Sequence, residues 1–317
     1  MQQEHAIKQA VARMTGGVAG LNLRGRAVLI ASDGSPAAQA AARVTAELER
    51  ERGAVPEILP VFDLRSYPTV PFLVEALGAA DQLLGEAAHD EQRAEVVAQL
   101  AGVAPEASHW PVHIGAGTPA GQIVTLAEKL DVALTLVGIR QHGRLDRIAG
   151  DETTLLVQRR SSCAVLAVRA ESTGLPRRIV AGIDFSKPSV AAARAALDIA
   201  KSDAKLTLVH AQTADDGHLS DDEHAVVHDL GVARALEEIR AFLLSGLPAG
   251  SAVTIDTLAE SARPSELLLS AAARLDADLI AIASRRHGLV ARLMLGSVAD
   301  ELTHACLTSL LLVPPAS

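Results

Sequence analysis

Two cysteines, one tryptophan, one tyrosine and four phenylalanines are all that 317 residues supply of the side chains that build disulfide frameworks or stacking platforms. Cys163 and Cys306 each precede a strand-like apolar run and show no CxxC or Cys/His ligand spacing, so core thiols in a reducing cytoplasm are expected. The shortage of aromatics excludes a base-stacking surface for RNA or single-stranded DNA. A formal charge of -9, with a pI near 5.7, excludes phosphate-backbone binding by the whole surface, so no nucleic-acid partner is expected. No apolar run reaches the roughly 18 to 20 residues of a membrane helix, and the first residues hold no secretory h-region. A soluble cytoplasmic protein with no membrane partner is the expectation. Also missing are a GxxxxGK[ST] loop, a GxGxxG element and a GxSxG elbow, which leaves the common phosphoryl-transfer, dinucleotide and hydrolase solutions unsupported.

What is present is a 49% hydrophobic composition, enough for two cores. From Arg26 onward, short runs rich in Val, Leu and Ala alternate with helical patterns, as parallel βα units covered on both faces do. Strands are predicted at 27–31, 55–62, 108–114, 134–138 and 163–168, then at 179–183, 205–211, 253–257, 279–283 and 309–313. Ser35-Pro36, Thr118-Pro119 and Arg263-Pro264-Ser265 start helices, with proline where its missing N–H costs nothing. Longer helical patterns run over about 74–101 and from a capping box at Ser220 to about Leu244.

The second set repeats the first. Asp33 to Asp184 and Ser35 to Ser186 are both 151 apart, while Pro119 to Pro264, His142 to His287 and Gly143 to Gly288 are all 145 apart. A constant offset in each half-motif, changed by a shorter middle, is the mark of a duplicated unit. The predicted fold is α/β: two tandem open parallel-sheet, Rossmann-like domains with helices on both sheet faces. Residues 1–24 form an N-terminal extension, either a short helix or a frayed tail. The first domain spans 25–170, a linker 171–178 and the second domain 179–317.

In such sheets ligands sit beyond the carboxyl ends of the strands. Asp33 and Asp184 follow strand one of each repeat; either could take an adenine amine, a ribose hydroxyl or a metal-bound water, or accept backbone N–H bonds in its own turn. The loop after strand four leads through Gly296-Ser297 into a helix, a corner whose free N–H groups suit an anion or a plain αβ crossover. His142 and His287 lack a fixed nucleophile or acid beside them, and HAVVH, with His224 and His228, lacks the central glutamate of a metalloprotease helix. No catalytic residue and no metal site are assigned.

The duplicated order of VLIASDGSP and IVAGIDFSKPS, GTPAGQI and ARPSELL, and DVALTLVGIRQHGRLDRIAG and DADLIAIASRRHGLVARLMLGSV resembles a tandem universal stress protein over about residues 26–316. Nucleotide-binding members of that family carry Gly-x2-Gly-x9-Gly-Ser/Thr after strand four, whose N–H groups and hydroxyl hold ATP phosphates. The resemblance implies a degenerate ATP site at Ala283, Arg286, Gly296 and Ser297 with Asp184 in the second domain, and a more degenerate one at Gly138, Gln141 and Gly150 with Asp33 in the first. Asp151 adds negative charge where a triphosphate would lie, whereas Arg285, Arg286 and Arg292 could neutralise one.

The expected function is therefore non-catalytic: a cytoplasmic stress-response protein acting through association with an unidentified regulatory protein, with no cofactor. The alternatives are an adenine-nucleotide switch holding ATP or AMP with Mg in the second domain, and a weak ATPase. The resemblance also implies an intramolecular pseudo-dimer through the fifth strands at 163–168 and 309–313, whose open edges would otherwise stay unpaired, and a homodimer of such chains.

Overall fold

The computed structural model describes residues 2–61, 86–113, 118–139, 150–212, 231–284 and 296–315. The chain divides into two compact units, Leu23–Gly174 and a second made of Met1–Asn22 with Leu175–Ser317.

In the first unit β1 (Ala27–Ser32), β2 (Val55–Pro60), β3 (Leu134–Ile139) and β4 (Ala164–Arg169) pair in the order β2–β1–β3–β4, every pair parallel. β1 and β4 are buried almost throughout, as strands covered on both faces must be. The described helices are α2 (Pro36–Arg52), α3 (Glu86–Ala101), α4 (Pro119–Lys129) and α5 (Gly150–Arg160), with α1 (Gln2–Thr15) preceding them in the chain. Ser35 and Thr118 cap α2 and α4 by accepting from Ala38 N at 3.2 Å and Gly121 N at 3.3 Å, each followed by proline at the first helical position.

The predicted strand at 108–114 is corrected. Pro105–His109 is a 3₁₀ helix, and pairing shrinks to one parallel bridge between Ile58 and Val112. Ser108 Oγ donates to Pro105 O at 2.8 Å, stabilising the tight turn, and Pro111 has no N–H to continue a ladder, so among the described residues Ile58 N to Pro111 O and His113 N to Ile58 O are the bonds that remain, both 2.8 Å.

In the second unit β5 (Arg178–Gly182), β6 (Lys205–Gln212), β7 (Thr254–Ser261), β8 (Leu279–Ala283) and β9 (Ser309–Val313) pair in the order β9–β8–β5–β6–β7, again all parallel. Here the third strand of the repeat is complete, eight residues paired along β6. α6 (Lys187–Asp198), α7 (Val232–Ser245), α8 (Pro264–Arg274) and α9 (Ser297–Ala305) are its described helices. The N-terminal segment, expected as an extension, is a helix that packs on α7 and α6 of this unit.

The two copies also share a lock at the amino ends of their strands. Asp131 and Asp276, 145 apart, both adopt left-handed backbone, at φ 48° and 49°. Each carbonyl accepts from an arginine at the entrance of the first strand: Arg26 Nη2 at 3.0 Å in one copy and Arg178 Nε in the other. Among the described residues no helix is long and apolar enough to cross a membrane.

Candidate functional site

In each unit the strand order reverses between the first and fourth strands of the repeat, β1 and β3 in one copy and β5 and β8 in the other. That reversal opens the crevice where ligands of open α/β sheets sit. Asp33 and Gly138 lie at it in the first unit, Asp184 and Ala283 in the second.

The aspartates are engaged by their own turns. Asp33 Oδ1 accepts from Ser35 N at 3.0 Å. Asp184 Oδ1 accepts from Ser186 N at 3.1 Å and from Ser186 Oγ, while Ser186 Oγ in turn accepts from Ser189 N at 3.3 Å to cap α6. These contacts build the strand-to-helix corner, as short Asx-type turns do.

Gly138 has a packing reason to be glycine. A β-carbon there would lie 2.9 Å from both Ala37 Cβ and Ala38 N and 3.0 Å from Ala37 C, so α2 begins against the bare strand. Ala283, 145 residues on and half-buried, carries the methyl group that Gly138 cannot.

Gly296 is the N-cap of α9, and Ser297 its first residue, exposed. Gly296 has φ -61° and ψ 151°, extended backbone open to any residue, so its conformation is not what demands glycine. Among the described residues no side chain caps this helix, and the Asp300 N–H is already bonded to Gly296 O at 3.0 Å. Gly150 opens α5. Arg286 and Gln141 lie outside the described residues, as do His142, His287, His224, His228, Arg285 and Arg292. The described portion of the second-domain set is thus Asp184, Ala283, Gly296 and Ser297; of the first, Asp33, Gly138 and Gly150.

Two features of the second crevice lie outside the sequence motif. Ser284, next to Ala283, is 3% exposed and its Oγ has no hydrogen-bond partner among the described residues, although its N–H donates to Val313 O at 2.9 Å. An unpaired buried hydroxyl costs about 1–3 kcal/mol, which makes it conspicuous. Phe185, buried, holds φ 58° where the first copy has Gly34 at 74°, and its ring stands 4.5 Å from that of His210 at a tilt of 48°. His210 Nδ1 is bonded to Ile183 O at 2.8 Å, which fixes the imidazole across the exits of β5 and β6. The 151-residue offset aligns Phe185 with Gly34 and could have flagged the strained aromatic; nothing in the sequence could have shown that Ser284 is unpaired.

Among the described residues no group of three or more His, Cys, Asp or Glu side chains could hold a metal ion.

Comparison with known proteins supports the duplication from outside. No curated protein matches the chain. Among solved structures it is similar to a universal stress protein from Archaeoglobus fulgidus at 18% identity, covering 92% of this chain and 98% of that one, with a TM-score of 0.63. A putative universal stress protein from Pseudomonas aeruginosa UCBPP-PA14 is 16% identical over 91% and 93% of the two chains, with a TM-score of 0.57. A functionally unknown protein from Pseudomonas aeruginosa PAO1 is 15% identical over 92% of both chains at a TM-score of 0.54. These likenesses concern the fold. The universal stress protein family itself matches residues 25–169 and again 176–314, and the chain therefore belongs to that family, with two of its domains in tandem.

Proposed function

We propose that this protein serves the stress response without catalysis, through association with a regulatory protein, and that its nucleotide signature has been converted largely to structural use. The observation that carries the reading is the local engagement of the two crevice aspartates and of Gly138. Asp33 and Asp184 bind the amides of their own turns, and Gly138 accommodates the start of α2. The protein is read as cytoplasmic and homodimeric; sedimentation of the purified chain at twice its own mass supports the dimer, and a monomer overturns it.

Equilibrium dialysis or calorimetry with Mg-ATP on the purified full chain tests the nucleotide question directly. No uptake at millimolar ATP is the expected result. Saturable uptake abolished by Gly296→Val would overturn it. Since Gly296 holds extended backbone, valine there tests close ligand approach rather than backbone strain.

A second reading, an adenine-nucleotide switch with ATP or AMP and Mg at Ala283, Arg286, Gly296 and Ser297, is favoured by one specific feature. The second crevice combines a helix start with no side-chain cap among the described residues and the buried Ser284 hydroxyl. Such a corner offers N–H groups and a hydroxyl to phosphate oxygens. In that case Ser284→Ala weakens uptake. A weak ATPase would show turnover that Ser297→Ala removes.

A further inference from the structure

The N-terminal helix is attached in sequence to the first domain but folds with the second. Of its described side chains, Ala10, Val11, Met14 and Thr15 are buried and fall on one helical face, and the helix packs against α7 and α6. Thr15 can be buried because its hydroxyl donates to Val11 O at 2.8 Å. After the helix the chain runs to the end of α6, where Leu21 N donates to Asp198 Oδ2 at 2.6 Å. A β-carbon on Gly20 would stand 1.9 Å from that same oxygen, so only glycine lets the chain lie this close. Asn22, at φ 44°, then turns the chain towards Leu23, where the first domain begins.

Asp198 breaks a local rule. It is the last residue of α6, where the helix dipole disfavours a negative charge, and no basic residue occupies that last turn. Arg194, one turn back, approaches it at 3.6 Å. The main-chain N–H of Leu21 is what the carboxylate gains in return for that position.

We propose that the α6/α7 face of the second domain is a receptor for an amphipathic helix, that α1 is its resident occupant, and that Asp198 is the latch holding it. The strap is built to be displaced. It is a single helix outside the sheet of its unit, with a buried face at Ala10, Val11, Met14 and Thr15, and a segment of that kind opens without unfolding its domain. A partner helix of the same apolar spacing takes the face when α1 leaves, in the helix-in-groove mode. The identity of the occupant as a protein helix rests on the association reading above, but the test below involves neither a partner nor a nucleotide.

The probe is a fluorescent peptide of residues 2–22, titrated into the full chain. Wild type binds it weakly, because α1 competes in cis. Gly20→Ala, which pushes the strap off the latch, raises the apparent affinity by about tenfold or more, since that affinity scales with the strap-free fraction. Asp198→Ala in the Gly20→Ala chain removes the gain. Equal affinity for wild type and Gly20→Ala, or binding that survives loss of Asp198, overturns the proposal. Hydrogen exchange on the same proteins keeps the result readable. In Gly20→Ala, amides 9–15 must lose protection while β5, β6, β8 and β9 keep theirs; α1 remaining protected overturns it. Val11→Asp, which breaks the apolar contact and leaves the latch alone, must release the strap in the same way.

Discussion

Replacing Gly138 by alanine separates a packing glycine from a phosphate glycine. The new methyl carbon would meet Ala37 Cβ and Ala38 N at 2.9 Å and Ala37 C at 3.0 Å, against the roughly 3.5–4.0 Å of a normal carbon contact. Two of those atoms are backbone, so the first turn of α2 must retreat by about half an ångström or more. Ala38 N is also the donor to the Ser35 cap, so the retreat loosens the helix start. Overpacking of this kind costs about 1–3 kcal/mol. The alanine recovers about 0.5–1 kcal/mol of backbone entropy within a strand. A net loss of about 1–2 kcal/mol follows, and in a domain of this size that lowers the unfolding midpoint by roughly 2–8 °C.

The assay is supplied by the sequence. Trp110 is the sole tryptophan; it is 5% exposed and belongs to the first domain. Its indole N–H donates to Glu49 Oε2, on α2 itself, at 2.9 Å. Tryptophan fluorescence during heating therefore follows the domain, and the helix, that the substitution disturbs. A midpoint unchanged or raised in Gly138→Ala would refute the packing argument and return Gly138 to a ligand role.

Three further outcomes are expected. Ala283→Gly, the reciprocal change in the second domain, leaves the tryptophan-detected transition untouched and destabilises only its own domain, by about 0.5–1 kcal/mol, in differential scanning calorimetry. Asp184→Ala removes the acceptor for the Ser186 N–H and hydroxyl and costs about 1 kcal/mol, read as faster exchange at the start of α6, whereas Asp184→Asn keeps an acceptor and most of the stability. Ser284→Ala deletes a buried unpaired hydroxyl and stabilises the second domain by about 1 kcal/mol in the same calorimetry; a loss instead would mean that the hydroxyl has a partner in solution.

Most of the fold was legible because its determinants are local. Proline after Ser35 and Thr118 marks helix starts, and short Val/Leu/Ala runs mark buried strands, whatever the rest of the chain does. The run at 108–114 misled for a physical reason: its apolar content packs Trp110 and bridges Ile58, but Pro111 denies it a ladder. The destination of α1 was not legible at all. Residues 10, 11, 14 and 15 show a buried face without saying whose, and the answer depends on Asp198, 177 residues from its bonding partner. In the candidate site, the motif located the corner; whether Asp184 serves a ligand or its own turn depends on side-chain geometry that spacing does not encode.

The two copies preserve shape while exchanging chemistry. The exits of the first and fourth strands carry Ala31 and Gly138 in one copy and Gly182 and Ala283 in the other, one glycine and one alanine each, at offsets of 151 and 145. A β-carbon on Gly182 would meet Ile282 Cγ2 at 3.1 Å, a side chain that can give way, whereas Gly138 faces backbone. Ahead of the last strand the same inversion recurs: Ser161 Oγ lies 3.2 Å from Cys163 Sγ in one copy, and Cys306 Sγ lies 3.0 Å from Thr308 Oγ1 in the other, again at an offset of 145. One hydroxyl and one thiol fill each place in opposite order. Changes of this kind hold volume and contact constant, as the close packing of a core requires. A phosphate cradle has no such freedom, because its glycines answer to a ligand with a fixed shape. That the crevice pairs Ala31/Gly182 and Gly138/Ala283 vary between copies as the core pairs do is the pattern of positions governed by packing, and it is why the loss of a packing contact, more than the loss of a ligand, is the expected consequence of altering them.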